Sequence, residues 1–332
     1  MIVNPAIIAL IGGSVLTAGF AVYASGWGIE ILRHWDLSSG SGRQLQLERR
    51  THLISTIMAY LLALEIFSLL LFIYTADHLH PAFVGAMCAA GSLNVNDFGY
   101  PTLVVKMATV LLCGVWLMVN RCDNLAEDYP LIRPKYRLLL GVTALIVVGA
   151  LLQISYFKHM SAHVITSCCG TLFSTEARSI AGTIAALPPQ AMRVVFFGSL
   201  LIHLRMVVHL LVTGRGGRAV GAASALLFIV AILAVVSFIS LYYYELPTHH
   251  CPFDLLQGHY HYVGYPLYVA IFSAGIAGTG IGVLARYAGV ASLSPILPAM
   301  LKGWARVVLG ANVATAVIAA YPMVFYDFRL VV

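Results

Sequence analysis

Charge is scarce in this sequence. Only 10% of its 332 residues are Asp, Glu, Lys or Arg, against 60% hydrophobic, and the mean hydropathy is +0.90. Soluble domains carry roughly 25% charged residues. A water-soluble globular fold, a disordered chain and a collagen-like chain are therefore excluded. Several motifs are missing as well. Without C-x-x-C-H there is no covalent c-type haem, and without C-x-x-C there is no thioredoxin-type pair. No tight Cys2His2 spacing builds a compact zinc site, and no Walker Lys follows the glycine-rich stretches. The net charge of +6 is the kind that membrane proteins carry in short loops, so nucleic acid is excluded as a partner.

What is present is a series of long apolar runs. A bilayer core needs about 20 apolar residues per helix. Eight runs meet that length, near 4–28, 52–75, 101–120, 137–157, 190–212, 219–243, 266–287 and 305–325. The first has no basic leader, so it reads as a retained span rather than a cleaved signal. The expected fold is an all-α polytopic protein in a lipid bilayer, in a bacterium the inner (plasma) membrane. Residues 171–188 read as a short surface helix ended by Pro188-Pro189.

Lys and Arg set the orientation. Loops 29–51, 121–137, 213–218 and 286–306 share one side and hold thirteen basic residues. The other side has four, Lys158, Arg178, Arg193 and Arg329. The bias puts both termini outside the cytoplasm.

The chain also echoes itself. Phe98-Gly99-Tyr100-Pro101 opens the third span and Val263-Gly264-Tyr265-Pro266 the seventh, 165 residues later. Arg137-Leu138-Leu139-Leu140-Gly141 is matched by Arg306-Val307-Val308-Leu309-Gly310. Upstream of each Gly-Tyr-Pro stand an acid, two histidines and a cysteine: Asp77, His78, His80, Cys88, then Glu245, His249, His250, Cys251. An offset of four spans implies two parallel four-helix repeats, 1–165 and 166–332.

Chemistry collects on the non-cytoplasmic side. Eight of twelve histidines and four of six cysteines lie in its loops. Insertion into a membrane does not require this, and both residue types bind metals, move protons and exchange disulfides. Three uses are open. Cys88, Cys168, Cys169 and Cys251 are the redox or disulfide candidates, with Glu65 in the second span as a buried proton relay or as the ion-pair partner of Lys106. His78, His80, His159, His163, His249, His250 and Cys251 are candidate ligands for a soft or borderline metal such as copper or zinc. His52, His203 and His209, with Arg205 for a propionate, are candidates for a haem b in the bilayer.

The function expected from this pattern is a membrane redox or electron-transfer protein with a Cys/His-rich extracytoplasmic site. Quinone or haem would be its electron carrier, possible partners being a larger membrane complex or an extracytoplasmic redox protein. Two alternatives stand beside it: a non-enzymatic anchor subunit of a larger complex, and a copper or zinc transporter or metal-loading factor. The transporter lacks a ladder of polar ligands crossing the bilayer.

Overall fold

The structure is a computed structural model that describes residues 4–37, 39–161, 164–166 and 180–329. Among them the regular secondary structure is helical, apart from a single parallel bridge between Val84 and Ile165. Eight helices are long and apolar enough to cross a membrane. They are α1 (Pro5–His34), α2 (Gly42–His78), α3 (Gly99–Asn124), α4 (Ile132–Lys158), α5 (Pro189–Thr213), α6 (Gly217–Tyr244), α7 (Gly264–Leu284) and α8 (Leu297–Phe325). Large apolar side chains stand exposed along them, among them Tyr60, Leu64, Phe67 and Val212. Water would penalise such surfaces, whereas lipid tails cover them. The chain is an integral multi-pass membrane protein.

Local chemistry sets the helix ends. Asn4 caps α1 by accepting the Ala6 N–H, with Pro5 in the first turn, where a missing N–H costs nothing. α5 begins at Pro189 and ends at Gly214, whose φ of +70° suits glycine. Both Gly-Tyr-Pro motifs lie in a first helical turn, of α3 and of α7. The helices outrun the apolar runs: α2 starts at Gly42 rather than 52, and α8 at Leu297 rather than 305. Apolar runs measure the hydrocarbon layer, while helices continue through the headgroup region. Of the expected surface segment 171–188, residues 171–179 lie outside the described residues, and Ile180–Ala185 is a short helix.

The chain divides into two compact units. The first comprises Met1–Thr75, Asn96–Ser161 and Arg286–Met300; the second comprises Ala76–Val95, Ala162–Ala285 and Leu301–Val332. Residues 76–95 thus group with the later half of the chain.

In the first unit α4 packs on α1 and α3. Its core includes Ile31, Met58, Leu62, Trp116, Tyr136 and Leu139. Gly28 faces the Tyr136 ring so closely that an added Cβ would sit 2.9 Å from it. Gln153 of α4 donates to the Leu10 carbonyl at 2.9 Å and to Ser14 Oγ at 3.0 Å. In the second unit α6 packs on α5 and α7. Gly221 and Gly282 let the α6 and α7 backbones meet directly. α6 carries one π-turn, Val235–Ile239.

Candidate functional site

Two loop segments of the second unit build the site. The first follows α2. Cys88 is fully extended (φ −158°, ψ −175°) and precedes a short buried helix, Ala89–Leu93. Asp77 at the end of α2 accepts the Ala89 N–H at 3.0 Å and so holds that helix start. Gly85 has a φ of +90°, which suits glycine, and a Cβ there would lie 2.3 Å from the Thr166 carbonyl oxygen. Thr166 donates its N–H to the Val84 carbonyl and its hydroxyl to that of Gly91.

The second segment follows α6, which ends at Glu245 in the left-handed region. The Tyr244 hydroxyl donates back to the Cys251 carbonyl at 2.6 Å, and the Tyr268 hydroxyl to that of Pro252 at 2.7 Å. His250 is buried, with Nδ1 2.9 Å from the Val236 carbonyl in the π-turn. Gln257 ties the segments together through Asp77 Oδ1 and the Met87 carbonyl, each at 3.4 Å.

This framework brings Cys88 and Cys251 together. They are 163 residues apart in sequence, their sulfurs are 3.5 Å apart, and neither is exposed. Asp254 is the third member. Its Oδ1 accepts from Cys251 Sγ at 3.4 Å, and its Oδ2 lies 2.6 Å from His249 Nε2. The two sulfurs and a carboxylate oxygen lie within 4.8 Å of one another, which is close enough to share one cation. His249 packs edge-on against Tyr244, with ring centroids 4.8 Å apart. Burial and the nearby Asp254 and Cys251 push the Tyr260 hydroxyl above its ordinary pKa. Burial pushes His250 the other way, toward the neutral imidazole.

The other candidates are placed as follows. His163, Cys168 and Cys169 lie outside the described residues. His78 is exposed at the end of α2, and His80 Nδ1 turns back to the Asp77 carbonyl. His159 belongs to the first unit, where it stacks on Phe98 and contacts the Ser155 carbonyl. Among the described residues, Cys251 is the one candidate ligand that enters the sulfur–carboxylate cluster, with His249 held against its carboxylate.

Among the haem candidates, His52 is exposed in the first unit, and His209 and Arg205 are exposed on α5. His203 is buried, with both ring nitrogens engaged, Nε2 by Ser224 Oγ and Nδ1 by Asn312 Nδ2, each at 2.8 Å. Glu65 is ion-paired to Lys106 at 3.0 Å, and Lys106 also donates to Ser68. Sequence reasoning passed over Asp254 and Gln257. The available signal was Cys-Pro-Phe-Asp, a carboxylate three residues past a cysteine.

Compared with protein-family models, with curated proteins and with solved structures, the chain matches none.

Proposed function

We propose that this is a membrane thiol redox protein whose centre is the Cys88–Cys251 pair on the extracytoplasmic face. The observation that carries the reading is the 3.5 Å approach of two buried sulfurs delivered by separate loops. Oxidation joins the sulfurs in one bond and releases two protons and two electrons. A membrane quinone takes both electrons and both protons and leaves as quinol. Asp254 Oδ1 is the hydrogen-bond acceptor of Cys251. Cys168 and Cys169, the other two cysteines expected to take part, lie outside the described residues. Thirteen basic residues against four support a location of the pair's side outside the cytoplasm.

A second reading has its own observation. Two sulfurs and a carboxylate oxygen within 4.8 Å are a donor set for a soft or borderline metal, copper or zinc. Elemental analysis and an optical spectrum of the purified full-length protein, with disulfide mapping of acid-quenched membranes, separate the two. A disulfide-linked Cys88–Cys251 peptide without stoichiometric metal supports the redox pair. Stoichiometric copper or zinc lost in Cys251→Ala supports the metal site. Reduced thiols under every condition, with no metal, contradict both and leave the anchor-subunit reading.

A further inference from the structure

The redox role leaves unused a groove of about 470 Å³ in the first unit. α1 lines one side with Phe20 and Tyr23, and α2 lines the other from Gln46 to Met58. That stretch of α2 is roughly 18 Å long at 1.5 Å per residue. The volume falls in the range of small-molecule sites, about 300–1,000 Å³. Its two ends differ in chemistry. α2 carries Arg43, Glu48, Arg49 and Arg50 before Leu53 and no charged residue from Leu53 to Leu64. In a bilayer such a change marks headgroup depth. Arg49 and Arg50 stand at that depth, while Leu53 and Ile57 continue the wall into the hydrocarbon.

Among the described residues, neither arginine has a carboxylate at ion-pair distance. The acids nearby in sequence are engaged elsewhere, Glu30 by Arg43 and Glu48 by the Gln44 amide. The Arg50 guanidinium lies 3.8 Å over the Trp27 ring. Stacking fixes its plane and leaves its edge N–H donors to an incoming anion. Phe20 is 39% exposed, Tyr23 53% and Leu53 60%, so the apolar walls are open to an acyl chain.

We propose that this groove holds an anionic phospholipid, with its phosphate on Arg49 and Arg50 and one acyl chain along Phe20, Tyr23, Leu53 and Ile57. Two cations without a protein counter-charge match a phosphodiester, which arginine grips through paired N–H donors. A zwitterionic lipid brings its own cation toward the pair and loses part of that attraction. A free phosphate satisfies the arginines but leaves the apolar wall uncovered.

The test uses the full chain in nanodiscs of phosphatidylcholine doped with phosphatidylglycerol, followed by release into nonionic detergent and mass analysis of the retained lipid. Phosphatidylglycerol is expected to be retained over phosphatidylcholine by about tenfold, the scale of one or two charge-assisted hydrogen bonds. Arg49→Gln with Arg50→Gln removes that preference. Arg215→Gln with Arg218→Gln removes equal charge outside the groove and preserves it. Arg49→Lys with Arg50→Lys, which keeps the charge, gives an intermediate preference and serves if the glutamine variant does not fold. Excess inorganic phosphate leaves the retained lipid in place. The proposal is overturned if the glutamine variant keeps the preference, if both charge-neutral pairs lose it equally, or if phosphate displaces the lipid.

Discussion

Lys135 and Asp123 form an ion pair at 2.6 Å with neither side chain exposed. Asp123 Oδ1 also accepts the Leu131 N–H, so one carboxylate closes the turn between α3 and α4. Read along the sequence, Lys135 is one more loop charge; folding turns it inward because Asp123 waits twelve residues earlier. Removing one member of such a pair strands the other charge, at a cost of about 3–5 kcal/mol. Lys135→Met is therefore expected to lower the midpoint of thermal unfolding in detergent sharply. Asp123→Asn with Lys135→Met should recover part of the loss.

His250 makes a second residue-scale prediction. Burial depresses its folded pKa below the ordinary value of about 6.5, partly offset by the bond to the Val236 carbonyl. The unfolded chain then binds the proton more readily than the folded one. His250 contributes stability fully above about pH 6.5 and loses it as pH falls toward the folded value. Unfolding midpoints measured from about pH 8 to pH 5 should fall at the acid end, and His250→Gln should flatten that fall. Cys88 and Cys251 stood out in the sequence as loop cysteines close to histidines. Asp254 did not, because a lone loop carboxylate has no pattern until the Cys-Pro-Phe-Asp turn places it under the sulfur.

Among the helices, the α6–α7 crossing depends on missing side chains. A Cβ on Gly221 would sit 2.3 Å from Gly282 Cα, and one on Gly278 would sit 1.9 Å from Ser224 Oγ. Small residues at a crossing exchange side-chain volume for close backbone packing, which matters where lipid removes the hydrophobic drive. Gly221→Ala is expected to cost about 1–3 kcal/mol or more by overpacking. Gly141→Ala, where a Cβ meets nothing within 4 Å, should be neutral or stabilising by about 0.4–1 kcal/mol. Detergent unfolding of the two variants side by side checks the contrast. The apolar runs located all eight spans, because lipid demands length and hydropathy together. They missed the first turns of α2, which carry Arg43, Glu48, Arg49 and Arg50, and the first turns of α8, which carry Lys302. They also could not show which glycines meet, since that depends on helix rotation.

For the whole molecule, the proposal depends on which side the loops occupy. A reporter fused after Val332 is expected to behave as extracytoplasmic, and one inserted near Gly216 as cytoplasmic. The reverse pattern would place the cysteine pair in a reducing compartment and remove the oxidising context of the redox reading. The Cys88 and Cys251 sulfurs meet within one compact unit. That unit takes residues 76–95 from the first half, a grouping that no linear reading of the chain contains.

The central claim, that Cys88 and Cys251 form a reversible redox pair, is tested most directly by thiol trapping across a redox titration. Membranes equilibrated in graded thiol–disulfide buffers are acid-quenched, unfolded and alkylated, and the Cys88 and Cys251 peptides are weighed by mass spectrometry. The account predicts one cooperative two-electron transition in which both alkylation sites vanish together and a single linked peptide appears, absent in Cys88→Ala. Independent titration of the two cysteines, or full alkylation of both across the whole range, would contradict it.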